Sequence, residues 1–212
     1  MRLSKKIFLN SADKITKKLN KKFFSRPADV VARTLLGKIL CRKINGKILK
    51  AKIVETEAYF GEEDPASWAR FGKRKDNFLM WDESGKILIK NVHKHLMLNF
   101  VTGKKGKASA VLVRALSPLN FEGRCSGPGL LTKCLEIDKN FNGKNIFNNK
   151  IFWIEKNTKK EKLKIFRDFR IGVKKDLSKK LRFYIKANSR KICINLPSGR
   201  SQIKDNGWVS RK

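Results

Sequence analysis

Acidic residues are scarce in this chain of 212 residues: 18 Asp and Glu stand against 51 Lys and Arg, a formal net charge of +33. Such an imbalance points to a polyanionic partner, nucleic acid first and an anionic membrane surface second. Acid-poor stretches of this kind also predict salt-sensitive phosphate binding. No apolar run approaches the ~18 residues of a membrane span, and Ile7-Phe8-Leu9 is too short for the apolar part of a secretory signal. A protein of the cytoplasm or nucleoid is the resulting expectation. Cysteine is sparse, and Cys41, Cys125, Cys134 and Cys193 contain no C-x-x-C pair. That argues against a zinc knuckle or an iron–sulfur cluster and reads as reduced, mostly buried thiols. The only two histidines, His93 and His95, read as alternating residues of one strand within Lys90-Asn91-Val92-His93-Lys94-His95. Their surroundings are cationic and supply no carboxylate ligand, so phosphate contact suits them better than a metal. No metal and no cofactor is expected.

What is present suits one domain with a real core, since hydrophobic residues make up 41% of the chain. Residues 1–24 read as a basic, helical N-terminal extension with Ile15, Leu19 and Phe23 recurring every fourth residue, and residues 25–212 as the domain proper. Pro27 to Leu36 reads as a helix with Pro in its first turn and Gly37 as its stop. Asn45-Gly46 marks a hairpin turn between strands at Ile39–Arg42 and Ile48–Tyr59. Residues 61–85 read as a long irregular loop, a length that inside a compact domain often accompanies function. Further strands are expected at Ile87–Ile89, Leu96–Val101, Ala110–Leu116, Ile151–Ile154, Leu181–Lys186 and Ile192–Leu196, and a short helix after Ser126-Gly127-Pro128-Gly129. The class is α+β with a mostly antiparallel sheet.

Chemistry concentrates in the return strand. Strand parity places Leu49, Ala51, Ile53, Glu55, Glu57 and Tyr59 on one face, so an apolar face runs into two carboxylates. Carboxylates at a core edge cost free energy unless paired, and such sites are where raised pKa values and base chemistry arise. An ordinary salt bridge to one of the many cations accounts for the pattern as well. Tyr59, Phe60, Trp68, Phe71, Phe78 and Trp81 interleave with Arg70, Lys73, Arg74 and Lys75, a mixture suited to an unstacked base; the alternative is that these rings are core. Arg114, inside the apolar run Val111–Leu116, needs a carboxylate partner. Lys90, Lys94 and Arg70 are candidate phosphate contacts.

Several blocks together carry a resemblance. Pro27-x-x-x-x-Ala32-Arg33-x-Leu35-Leu36-Gly37 is followed by Ile53-Val54-Glu55-Thr56-Glu57-Ala58-Tyr59, Gly61-x-x-Asp64-x-Ala66, Asn77-x-x-Met80 and Asn99. Val111-Leu112-Val113-Arg114-Ala115-Leu116-x-Pro118, Ser126-Gly127-Pro128-Gly129, Arg170-x-Gly172 and Leu181-Arg182-Phe183-Tyr184 complete the series. In this order, over roughly residues 23–195, the chain resembles the alkyladenine (3-methyladenine) DNA glycosylases. The resemblance implies a single compact domain around a curved antiparallel sheet flanked by helices. It further implies a monomeric, metal-free enzyme that flips alkylated purines out of double-stranded DNA and hydrolyses the N-glycosidic bond without a covalent intermediate. It assigns Glu57 as the general base, Arg114 as the residue holding water and carboxylate, Tyr59 as the ring stacked on the flipped base, and Asn99 as the group that rejects guanine. The sequence departs from the family where Trp68 replaces the usual His and where Val92, next to His93, replaces a Tyr wedge. Asp76 also stands where an Arg often precedes Asn77. Trp68 is expected to favour cationic alkylpurines over hypoxanthine, and the wedge falls to Val92 or His93. The alternatives are a non-catalytic nucleic-acid-binding protein and a glycosylase with lysine-based lyase chemistry.

Overall fold

Asn45 and Gly46 both take left-handed backbone, φ 47° and 78°, as a two-residue hairpin turn requires. They join β1 (Ile39–Ile44) to β2 (Lys47–Tyr59). The computed structural model describes residues 18–158 and 162–186. Within them β2 is the spine of an eight-stranded sheet. It pairs antiparallel with β1 through Lys47–Lys52 and with β5 (Ala110–Pro118) through Ala51–Tyr59. On its other edge, Glu55–Glu57 pair with β8 (Arg182–Ile185). Strands β3 (Ile87–Val92) and β4 (His95–Val101) extend the sheet beyond β5, β6 (Phe152–Glu155) extends it beyond β1, and β7 (Ile165–Asp168) pairs with β8. Every pairing is antiparallel and the sheet curls into a half-barrel, so the class is α+β as expected.

Helix α2 (Ala28–Leu35) follows Pro27, and the chain leaves it through Gly37 at φ 79°. Its face of Ala28, Val31, Ala32 and Leu35 is buried against β2 and β5. Each of the larger aliphatic side chains there contributes on the order of 1.5–3 kcal/mol by burial. Thr56 fixes the contact by donating from Oγ1 to the Ala32 carbonyl at 2.8 Å. Helix α3 (Pro128–Cys134) packs on β4 and β5.

Three expectations are corrected. The faces of β2 do not alternate without interruption: its pairing with β5 is irregular between Ile53 and Thr56. Ala51, Ile53, Val54 and Ala58 all lie in the main core. The face that begins as Ala51 and Ile53 therefore continues as Val54, Thr56 and Ala58, and Glu55, Glu57 and Tyr59 stand opposite it. Such irregularities re-aim side chains next to functional sites. Second, His93 and His95 do not share a strand. His93-Lys94 is the two-residue turn between β3 and β4, closed by the pair Val92↔His95, with His93 at φ 54°. Third, of residues 18–24 only Lys21–Phe24 (α1) are helical; Leu19 and Phe24 are buried in the main core, Phe24 with its ring 5.8 Å from that of Phe100. The remainder of the expected N-terminal helix, including Ile15, and the strand at Ile192–Leu196 lie outside the described residues. The loop over 61–85 is irregular as expected, apart from a 3-10 turn at Phe78–Trp81.

Candidate active site

The re-aimed face of β2 places Glu57 at the centre of a polar network with no solvent exposure of its side chain. Its Oε1 accepts the Ile171 backbone N–H at 2.9 Å and faces Arg114 Nη1 at 3.2 Å; its Oε2 accepts the Tyr59 hydroxyl at 2.7 Å. Burial pushes the Glu57 carboxyl above the ordinary 4.5 of a glutamate, with Arg114, the Ile171 amide and Tyr59 opposing it and Glu55 adding to it. A carboxylate offers about four lone-pair sites. Here two of them accept hydrogen bonds, from the Ile171 amide and the Tyr59 hydroxyl, and Arg114 adds an ion pair. Burial and the adjacent Glu57 charge push the Tyr59 hydroxyl well above its ordinary range, so it stays protonated and donating.

Arg114 bridges the two carboxylates of β2, with Nε 3.2 Å from Glu55 Oε1 and Nη1 on Glu57. Glu55 is also paired to Arg182 at 3.1 Å, and Arg182 continues to Asp168 at 2.7 Å. The salt-bridge reading of the sequence is thus met: both carboxylates of β2 are paired within one network. A second buried centre lies beside it. Arg170 holds Asp64 through two bonds of 2.6 and 2.7 Å, Asp176 at 2.6 Å and the Ala58 carbonyl at 2.9 Å, and its guanidinium stands 4.6 Å from the Tyr59 ring centroid. Asp64 in turn accepts the backbone N–H groups of Phe60 and Ala66, which fixes the chain as it leaves β2. Burial alone would lower the Arg170 pKa; the bonds to Asp64 and Asp176 outweigh it and hold the group above its ordinary value.

A cavity of about 970 Å³ opens beside this network, walled among others by Tyr59, Trp68, Lys90, Asn99 and Arg114. Asn99 is buried on β4 and its Nδ2 donates to the Leu88 and Met97 carbonyls at 3.2 and 3.0 Å. Lys90 Nζ stands 5.0 Å over the Trp68 ring, and burial, together with Arg70 and Arg74, lowers its pKa. Arg70, Val92 and His93 also line the cavity, Val92 half-buried and His93 exposed. Lys94 is exposed in the β3–β4 turn, outside the cavity wall. Among the described residues no three His, Cys, Asp or Glu side chains gather as a metal site.

The sequence has counterparts among known proteins. The sequence model of the methylpurine-DNA glycosylases matches residues 22–189. The chain belongs to that family. A protein of Aeropyrum pernix, provisionally named a 3-methyladenine DNA glycosylase, is 38% identical over 176 residues, covering 80% of this chain and 90% of the relative. One of Clostridium tetani with the same provisional name is 33% identical, covering 92% of this chain and all of the relative. Membership makes the protein a DNA-repair glycosylase, a hydrolase of N-glycosyl bonds acting on DNA.

Within this methylpurine-DNA glycosylase, sequence reading missed the parts that hold the network together. Asp176, the Ile171 amide and the Asp64–Arg170 pairing have no signature of their own. Asp64 and Arg170 were visible as elements of the resemblance, but a separation of 106 residues gives no spacing rule that would join them.

Proposed function

We propose that the protein removes alkylated purines, 3-methyladenine and 7-methylguanine foremost and hypoxanthine more slowly, from double-stranded DNA by water attack at the sugar carbon. The observation that carries this reading is Glu57: a fully buried carboxylate whose three partners, Tyr59, Arg114 and Ile171, all line a cavity large enough for an extruded base. The target bond is inaccessible inside a duplex, so the nucleotide must be extruded at a cost of a few kcal/mol. Departure of the base develops positive charge on the sugar, and a carboxylate both stabilises that charge and takes a proton from water. Arg114 orients Glu57 and the water. Tyr59 is the stacking face, backed by Arg170. Asn99 closes the base edge against guanine. A purine alkylated on N3 or N7 is already cationic and leaves without prior protonation. Because Lys90 already stands over Trp68, that ring gains less from a second cation, and the preference over hypoxanthine expected from Trp68 narrows. The lysines of residues 1–24 add phosphate attraction.

Incubating the protein with duplex DNA carrying 3-methyladenine or 7-methylguanine is expected to release free base and leave an abasic strand. A protein that only binds would retard the DNA and release nothing. Borohydride trapping of a covalent adduct would replace water by a lysine as nucleophile.

The rate should also follow the protonation of Glu57. The group works only when ionised, and burial raises its pKa above 4.5. Single-turnover release from 7-methylguanine DNA should therefore rise with pH through a limb lying above 4.5 and then level off. A limb at or below the ordinary glutamate value would contradict the assignment.

A further inference from the structure

Phe71 is 72% exposed, the most exposed large apolar side chain among the described residues. Nothing in the reaction described above uses it. Its position is nevertheless fixed from both sides. The Arg70 guanidinium lies 4.4 Å from its ring centroid and is itself tied to the Ser67 carbonyl at 3.2 Å. Gly72 follows at φ 78°, a left-handed residue that turns the chain directly after the ring. Buried Asn77 clamps the same loop, donating from Nδ2 to the Trp68 and Gly72 carbonyls at 2.9 and 3.0 Å and accepting the Arg74 N–H at 2.7 Å. An apolar ring is thus held in water at the rim of the cavity, which it shares with Val92 and His93. Cations surround it in sequence as Arg70, Lys73, Arg74 and Lys75, all exposed.

We propose that Phe71 is the side chain that enters the base stack as the target nucleotide leaves it. The proposal rests on the glycosylase reading. A wedge must be apolar, firmly mounted, next to the mouth that receives the base, and flanked by groups that hold the two phosphate strands. Phe71 meets each condition. Val92 offers only a half-buried isopropyl group, and His93 is a polar residue at a hairpin tip. A phenyl ring replaces the lost stacking area more fully than either, because every base presents a π-face to it. Arg70, stacked on the ring, can follow it towards the adjacent phosphate. The loop over residues 61–85 then has two uses: Trp68 faces the cavity while Phe71 faces the duplex.

The test uses the full-length protein and a duplex carrying a tetrahydrofuran abasic site with 2-aminopurine as the neighbouring base. Binding of wild type should brighten the 2-aminopurine as its stacking is disturbed. Phe71→Ala should abolish the brightening and weaken binding by about tenfold, and Phe71→Trp should restore both. Release of 7-methylguanine should fall in duplex DNA but stay within about twofold of wild type in single-stranded DNA, where no stack has to be opened. The double variant V92A/H93A should keep the brightening. The proposal is overturned if Phe71→Ala matches wild type on the duplex, or if it loses single-strand release to the same degree. Wild type that releases no base from any lesion would instead defeat the glycosylase reading, and the fluorescence would still report on Phe71.

Discussion

Glu57→Gln is expected to lose base release by about 10²–10⁴-fold, the range typical of a missing general base, while still binding lesion-containing DNA. Gln is nearly the same size as Glu, and its carbonyl can still accept the Ile171 N–H that now reaches Oε1 at 2.9 Å. Arg114 keeps its second carboxylate, Glu55, at 3.2 Å, so the guanidinium is not stranded. What the substitution removes is the negative charge at the centre of the network and the capacity to take a proton. Removal of a buried, desolvated carboxylate also relieves strain on the fold, so the variant should melt no lower than wild type. Single-turnover release and melting measured on the same preparation check both halves. Unchanged release by a folded Glu57→Gln would move the base elsewhere in the network, with Glu55 as the remaining carboxylate beside Arg114.

Arg170→Met is expected to cost about 3–5 kcal/mol, the range seen when one partner of a buried charge pair is deleted. For a domain of this size that corresponds to a fall in melting temperature on the order of 10 °C. Methionine fills much of the space but leaves Asp64, whose side chain has no exposure, without the guanidinium that both of its oxygens now contact. Asp176 and the Ala58 carbonyl lose donors as well. Adding Asp64→Asn should return part of the loss, because the stranded charge is then gone and the two effects are coupled. Activity should fall beyond what stability explains, since Arg170 backs the Tyr59 ring and immediately precedes the residue whose amide holds Glu57. Melting curves of both variants decide the matter. An Arg170→Met protein as stable as wild type would show that the two aspartates find other partners.

Local rules carried much of the fold. Asn45-Gly46, Pro27 with Gly37, and the apolar runs of β2 and β5 are encoded within a few residues, and the structure matches them. Two features escaped because they depend on pairing between distant strands. The irregularity near Ile53–Thr56 arises where β2 meets β5, so parity along β2 alone put Glu57 on the wrong side of the sheet. The turn at His93-Lys94 lacks the Asn-Gly signal, and its alternating flanks read as a continuous strand. Candidate site residues were legible chiefly through ordered motifs. Tyr59, Asn99 and Arg114 line one cavity, and Glu57 sits in the network beneath it. The exposed ring of Phe71 was visible only as one of several aromatics, since sequence does not distinguish a core ring from a solvated one.

The contacts of Glu57 have a consequence for the order in which the protein becomes competent during synthesis. Translation delivers Glu57 and Tyr59 early, Arg114 later, and Ile171 and Arg182 near the end. The bonds that join them span 114 residues from Ile171 to Glu57 and 127 from Arg182 to Glu55. Contacts so far apart form late and are lost first when a chain is cut short. A nascent or truncated chain ending before residue 165 already carries most of the cationic surface, yet its Glu57 lacks the amide and its Tyr59 lacks the supporting guanidinium. Attraction to nucleic acid is therefore acquired well before the means to cut a glycosidic bond.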